Sequence, residues 1–404
     1  MRITFVVHAC ASCWNNGNAH FLRGVVTALQ RAGHAVEVLE PAGAWSRQNL
    51  LADGGAGALD GFAAAFPTIR PELHASTADA IERIAAFAPD LVVVHEWNEP
   101  ILVNAIGRER KRGAPFTLLF HDTHHRAVSS PEELARFDLS GYDGVLAFGA
   151  CIADIYARRG WGRRVWTWHE AADAALFRPR DREPERDVVW IGNWGDGERT
   201  EELATFLLDP VTRLRLAATI HGVRYPDDAQ EALAARGIRF GGWLPNHAVP
   251  DAFARHRATV HVPRRPYARV LPGIPTIRVF EALACGIPLV SAPWDDAEGL
   301  FPEGAFLTAR DGGEMERHLA AVLADRDLAA SLRETGLSAI AERHTCDHRA
   351  AELLAIHEAI AAPQGGADFA EMRSPGREKA ASHQAARNPV GAEAGAPLSR
   401  RAAS

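Results

Sequence analysis

The chain has 404 residues, too many for a single hydrophobic core, so two domains and a tail are expected. Its hydrophobic fraction of 47% and charged fraction of 24% are those of an ordinary soluble globular enzyme. The formal net charge of -7 excludes the broad basic face that nucleic-acid binding needs, but leaves room for one phosphorylated small molecule in a local basic pocket.

The opening MRITFVV is too short for a signal-peptide core and reads as a first buried strand. No stretch approaches the ~18 apolar residues of a transmembrane helix, so a cytoplasmic location is expected. The loop HACASCWNNGNAH then leads into a helix, FLRGVVTALQRAG, which Gly33 ends before the strand HAVEVLE. Five scattered cysteines fit a reducing compartment rather than a disulfide framework. Cys10 and Cys13 form C-x-x-C, but Asn-Asn-Gly follows where a redox motif needs a helix. Next come DLVVVHEW, a helix through VNAIGRERKR, FTLLFHDTHH, YDGVLAFG and a helix from Cys151 to Gly160. Strands of continuous Val, Leu and Ile alternating with helices imply a parallel sheet covered on both faces. After VWTWHEAADAALFRPRDREPERD the pattern restarts with DVVWIG, EELATFLL, LRLAATIHG, EALAARG, IRFGGWLP, AVPDAFARHR and ATVHVP.

The expected architecture is therefore α/β, with two Rossmann-like domains. They span residues 1–165 and 187–345, joined by a hinge over 166–186 and closed by a helix over 346–362. From Pro363 the composition turns to Ala, Gly, Ser, Pro and Arg, too poor in large apolar residues to offset chain entropy. Residues 363–404 are expected to be disordered.

Residues 274 to 291, IPTIRVFEALACGIPLVS, set Arg278 and Glu281 three apart in an otherwise apolar and small run. Pro275 suits a first helical turn, and Gly286 ends the helix before a strand from Ile287 to Val290. At ~100° per residue, Val279, Phe280, Leu283 and Ala284 share one face, and Arg278, Glu281, Ala282 and Cys285 another. Small residues around two charges describe a wall that something approaches closely. On a functional reading, the helix N-terminus over 273–277, including Thr276 and Ile277, offers free N–H groups to a diphosphate. Glu281, one turn on, accepts hydrogen bonds from ribose hydroxyls. The plainer alternative is that Arg278 and Glu281 pair with each other. An exposed pair of that kind contributes only ~0.2–0.5 kcal/mol, and a buried one often fails to repay its desolvation. Stability is a poor reason for the charges, and a nucleotide pocket is expected.

RVFEALACGIPLVSAP resembles the donor-binding segment of group 1 glycosyltransferases of the GT-B fold, whose pattern is E-A-x-A-C/S-G-x-P-V-V/I. Within them it is most similar to the spore-maturation glycosyltransferase-like subgroup, with R-x-F-E-A-L-A-C-G. The resemblance covers roughly residues 1–360. It implies two Rossmann-like domains facing a cleft, with a nucleotide-diphosphate sugar on the second and an acceptor on the first. It also implies transfer with retention of configuration. Many relatives carry two glutamates separated by seven residues. Glu281 matches the second, and the first falls on Gly273, so a residue that often contacts the donor sugar is absent here.

VVWIGNWGDGERTEEL carries Gly192, Gly195 and Gly197, which permit close approach of backbone to phosphate. The resemblance implies an arginine and a lysine in this turn. Asn193 stands at the arginine's position, and Arg199 is the nearby cation, equally readable as a phosphate ligand or a solvated surface residue. HVPRRPYARVLPG supplies Arg264, Arg265 and Arg269 beside the motif helix, with Arg265 the candidate to counter diphosphate charge. FHDTHHR offers His121, Asp122, His124 and His125. These residue types suit zinc or iron, or a purely structural cluster. The resemblance instead implies a functional histidine at this strand end, and His121 is the catalytic candidate, with no metal. HEWNEP puts His95 and Glu96 at a strand's carboxyl end, where ligands of parallel sheets bind. WNNGNAH brings Gly17 to the first such loop, with Asn16 and Asn18 shaping the turn. WHEAADAALFRP (168–179) resembles the hinge stretch of these enzymes and is expected to line the cleft, or else to serve interdomain packing.

The expected function is a metal- and cofactor-independent transferase moving a sugar from a nucleotide-diphosphate donor to an acceptor: glycan, lipid or small molecule. Helix N-terminal amides and arginines would stabilise the departing diphosphate. Two alternatives stand. A nucleotide-sugar epimerase on the same fold would need carboxylates poised for proton abstraction. A non-catalytic nucleotide-sugar-binding protein would fit Gly273 and Asn193.

Overall fold

The computed structural model describes residues 1–55, 57–195 and 197–362. The expected disordered tail, 363–404, lies outside the described residues. In the first half the apolar runs become β1 (Arg2–Val6), β2 (Ala35–Pro41), β3 (Glu72–His74), β4 (Leu91–His95), β5 (Thr117–Asp122), β6 (Gly144–Ala147) and β7 (Val165–Thr167). They hydrogen-bond in the order β3-β2-β1-β4-β5-β6-β7, all parallel. In the second half β8 (Arg186–Ile191), β9 (Ala218–His221), β10 (Arg239–Phe240), β11 (His256–His261), β12 (Leu289–Ser291) and β13 (Leu307–Thr308) form a parallel sheet ordered β10-β9-β8-β11-β12-β13. Every residue of β4 and β5 is buried, as a parallel sheet covered on both faces requires. In each sheet the strand order reverses beside its first strand, between β1 and β4 and between β8 and β11. Such reversals open a crevice at the strands' carboxyl ends.

The first helix runs Asn18–Arg31, starting three residues before the expected Phe21, so Asn18, Ala19 and His20 are wound into its buried first turn. Helices Trp45–Gly54 and Gly57–Ala65 were not anticipated, because their alanine- and glycine-rich sequence carries little periodicity. The motif helix spans Ile277–Cys285, and Gly286 caps it at φ +65, a left-handed conformation that suits glycine. Apart from Arg278, which is half-exposed, both of its faces are buried, so most of the face expected to be open meets protein instead.

The closing helix, Cys346–Ala361, crosses back to pack on the first helix. Trp168, fully buried in the hinge, donates its indole N–H to the Arg349 carbonyl at 3.0 Å. Ala172 donates to the His344 carbonyl and accepts from the Cys346 N–H, both at 2.9 Å. One apolar cluster runs from Phe5 and Phe21 through Trp168 to Phe280 and Leu353, so a single core joins the two sheets. Cys10 and Cys13 are both free, and burial pushes the Cys10 thiol up to about 12, leaving no thiolate at neutral pH. Among the described residues no helix is long and apolar enough to cross a membrane.

Candidate active site

The carboxyl ends of the two sheets meet at a cavity of about 430 Å³. Loops after β1, β4 and β5 form one wall. Loops after β8, β9 and β11 and the start of the motif helix form the other.

On the second wall, Arg199 donates to the carbonyls of Asn193 (2.7 Å) and Val262 (3.2 Å). Its guanidinium lies over the Trp190 ring, 5.1 Å from the centroid. No carboxylate among the described residues pairs with it. Burial lowers its pKa to about 10, so it stays charged at neutral pH. Arg264 and Arg278 also line the cavity, each held by one carboxylate, Glu198 and Glu281 respectively. Thr276 precedes the motif helix without capping it, which leaves its first-turn N–H groups toward the cavity. The Thr276 hydroxyl is turned to His261 Nε2 (3.0 Å), since His261 Nδ1 is engaged by Ser291 (2.8 Å) and burial holds this imidazole neutral, near 3. Ile277 lines the cavity beside it, as do Gly192 and Asn193. The Asn193 side-chain carbonyl accepts from the Val223 N–H at 3.2 Å, and its amide reaches Asn15 on the opposite wall.

Glu281 is a correction. It does not line the cavity but lies fully buried one turn behind it. Oε1 accepts from Asn246 at 3.0 Å and faces His20 Nδ1 at 3.1 Å, while Oε2 holds Arg278. His20 Nε2 accepts the Asp173 N–H at 2.9 Å, so the ring proton sits on Nδ1, toward Glu281. Burial pushes the Glu281 carboxyl up, but Arg278 and His20 outweigh it and hold it below its ordinary value. In this structure the group expected to accept from a ribose is turned to protein donors instead. The thing that approaches the helix closely is the other domain.

Arg265 is likewise corrected. It pairs with Glu201 and Glu202 and the Gly197 carbonyl, away from the cavity, and Arg269 joins Glu202. The adjacent Arg264 is the one that lines the site.

The first wall is neutral and aromatic. Gly17 lines it, and a Cβ there would sit 3.3 Å from Ile277 across the cleft. Asn18 donates to His95 Nε2 (2.6 Å) and to Thr123 (2.7 Å). His8 stacks on Trp45 at 5.1 Å, and His124 packs against Trp97 at 4.9 Å. Burial lowers His8 to about 4 and His124 to about 2, so both rings are neutral at physiological pH.

His121, the catalytic candidate, is not part of this wall. Its ring is fully buried among Phe21, His95 and Trp168, with no partner at either nitrogen, and burial holds it near 3. Glu96 is also enclosed against Arg126, with burial and the neighbouring Asp122 pushing its carboxyl up and Arg126 opposing them. Their strand neighbours explain both outcomes. His95 and His121 pair in register on one face; His95, the last residue of β4, reaches the cavity, whereas β5 reaches it only past its end, by Thr123, His124 and His125. Among the described residues no three His, Cys, Asp or Glu side chains converge to hold a metal ion. His8, Trp45 and Trp97 line the cavity without having been singled out, and Glu170 lines it from the hinge stretch 168–179. The rule that ligands gather after the first strand would have found His8, and Glu170 lay inside a hinge stretch already suspected.

Residues 16–168 match a family model described as a glycosyl transferase 4-like domain, and residues 199–355 one described as glycosyl transferase-like. No curated protein matches the sequence. Sucrose-phosphate synthase from Thermosynechococcus elongatus aligns at 14% identity and a TM-score of 0.62, covering 89% of this chain and 99% of its own. A glycosyltransferase from Rickettsia africae gives 13%, 0.61, 89% and 98%. HepE of Anabaena, in complex with UDP and glucose, gives 14%, 0.61, 89% and 100%. At these identities the solved structures speak for the fold alone, while each family model spans most of one sheet, without β1 in the first and β8 in the second. Together they show a GT-B fold whose two halves are each glycosyl transferase-like.

Proposed function

We propose that the chain transfers a sugar from a nucleoside-diphosphate donor held on the second wall to an acceptor on the first. Arg199 is the observation that carries this reading: a half-buried, charged guanidinium on the cavity wall whose hydrogen bonds, among the described residues, go to carbonyls only. A partly desolvated cation without a counter-ion is costly, and a bound diphosphate would supply one. Arg264, Arg278 and the uncapped start of the motif helix lie on the same wall, suited to the same anion. HepE's complex with UDP and glucose supports a donor of this class.

In the reaction the bond from the sugar's anomeric carbon to the diphosphate breaks and a bond to an acceptor hydroxyl oxygen forms. The hydroxyl proton is released. Charge grows on the leaving diphosphate, and the arginines and helix amides stabilise it more in the transition state than in the ground state. The neutral imidazoles of His8, His95 and His124 stand on the acceptor wall, where an acceptor proton would leave. In this reading Glu281 fixes Arg278 rather than touching ribose, and His121 is structural. Retention of configuration and the spore-maturation-like subgroup rest on the motif segment R-x-F-E-A-L-A-C-G. Proton NMR of the product anomer would test the former.

The test is thermal unfolding of the full chain against UDP, GDP, ADP, CDP and dTDP, for wild type, Arg199→Lys and Arg278→Gln. Ligand at ~100 times its dissociation constant adds ~2.7 kcal/mol. One nucleotide should raise the wild-type midpoint, and less so in both variants. No shift with any of the five would sink the donor reading.

A further inference from the structure

At the junction of the two domains stands a carboxyl group that the reading above does not use. Glu170, in the hinge, lines the cavity yet is only 7% exposed. Among the described residues no hydrogen bond or ion pair reaches its side chain. Its neighbour His169 is fixed at both ring nitrogens, to the Phe148 carbonyl (3.0 Å) and to Glu298 (3.1 Å), so the segment around Glu170 is held in place. A buried polar group left without a partner costs ~1–3 kcal/mol. No protein group among the described residues meets this carboxyl, which lines the cavity, and this points to a partner that arrives with the substrate. Burial, reinforced by Glu281 and opposed by Arg278, pushes this carboxyl up to about 8. Its own field reaches Tyr267 and Cys346. At neutral pH it is largely protonated, offering one O–H donor and free acceptor oxygens.

Resting on the nucleotide-sugar reading, we infer that Glu170 is a specificity-determining residue that hydrogen-bonds hydroxyl groups of the sugar being transferred. With the diphosphate at Arg199, Arg264 and the motif helix, the sugar lies toward the opposite wall, and Glu170 comes from the segment joining the two. A group that both donates and accepts suits adjacent sugar hydroxyls. Being uncharged, it does not repel the neighbouring diphosphate. No carboxylate reaches the sugar from the start of the motif helix. Gly273 there has φ +83, and a Cβ would lie 2.6 Å from Glu298 Cγ, so the position has no room for a side chain.

The experiment is titration calorimetry of the full chain, as wild type, Glu170→Gln and Glu170→Leu. The probes are the five nucleoside diphosphates together with UDP-glucose, GDP-mannose, ADP-glucose, CDP-glucose and dTDP-glucose. One diphosphate should bind all three proteins within about twofold. Its sugar ester should bind wild type and Glu170→Gln more tightly than the diphosphate does, and that gain should fall about tenfold in Glu170→Leu, the loss of roughly one good hydrogen bond. Glu170→Leu should also melt above wild type, because it removes an unpartnered buried carboxyl while filling its space. A residue that merely packs would keep the sugar gain as leucine. The inference is overturned by an undiminished gain in Glu170→Leu, or by a wild type that binds the diphosphate but gains nothing from the sugar. Failure of all five diphosphates to bind wild type would instead overturn the donor reading, and this inference with it.

Discussion

On the second sheet's side of the cavity stand four arginines, Arg199, Arg224, Arg264 and Arg278, and an uncapped helix start. On the first sheet's side stand histidines that burial keeps uncharged, asparagines, and the rings of Trp45 and Trp97. Both walls are built from loops after parallel strands, so fold alone does not separate them. The difference lies in where the acids go. In GERTEEL, Glu198 is taken by Arg264, and Glu201 and Glu202 by Arg265, which leaves Arg199 without a carboxylate. On the proposed reading, one wall is thus charged in advance for a doubly phosphorylated ligand, and the other would receive neutral hydroxyls and rings. A transferase that must hold a departing anion on one side and an incoming hydroxyl on the other needs that asymmetry.

The largest change should follow from breaking the junction between the walls. Glu281→Ala leaves Arg278 and the His20 N–H without their buried acceptor and should cost ~3–5 kcal/mol, read from urea unfolding. The wild-type carboxyl is held below its ordinary value, so its stabilisation is present above the unfolded-state pKa and lost as pH falls. The difference from the variant should therefore shrink on acidification. A cost under about 1 kcal/mol would put this cluster in the class of surface pairs.

Next in size is the contrast between two neighbouring cations. Arg199→Met should lower kcat/KM by roughly 10²–10³, about 2.7–4 kcal/mol, the loss typical of one pre-aligned donor to a developing anion. Arg265→Met, outside the cavity, should stay within about twofold. Equal losses from both would erase the distinction between a charged wall and an ion-paired surface.

A third comparison concerns the hinge. Between the unfolded-state pKa of a glutamate and the folded value of about 8, Glu170 ionises only in the unfolded chain. Wild type should therefore lose stability relative to Glu170→Gln as pH rises through that window, by at most about 1.4 kcal/mol per pH unit. Histidines held low by burial, such as His8 and His344, act in the opposite sense as pH falls and are common to both proteins. They cancel in the difference. Parallel profiles from pH 5 to 7 would mean that Glu170 is ionised in the fold.

The sheets were legible because fully buried parallel strands are continuous apolar runs, LVVVH and TLLFH among them. The start and stop of the motif helix were legible from Pro275 and Gly286. What stayed hidden were facts of long-range placement. Whether Arg199 meets a carboxylate depends on Arg264 and Arg265, more than sixty residues away in sequence. His121 and His124 differ only by three positions along one segment. Strand ends are uncertain by one or two residues, yet here that margin decides which ring is core and which lines the cavity. Glu281 was read as facing a ligand because its helix offers small residues and a charge. The first helix, beginning three residues early, brings His20 to that same face.

The smallest expected effect tests whether the neutral wall is a binding surface at all. Trp45 is 37% exposed, lines the cavity and stacks on His8. Replacing it by alanine removes no buried core, so the fold should be kept. An aromatic face in contact with an acceptor contributes about 0.5–1.5 kcal/mol beyond its area. Trp45→Ala should therefore raise the acceptor's KM by roughly two- to tenfold while leaving nucleoside-diphosphate affinity unchanged. If the diphosphate affinity falls and acceptor KM does not move, the ring serves the donor, and the division of labour between the walls is wrong at this residue.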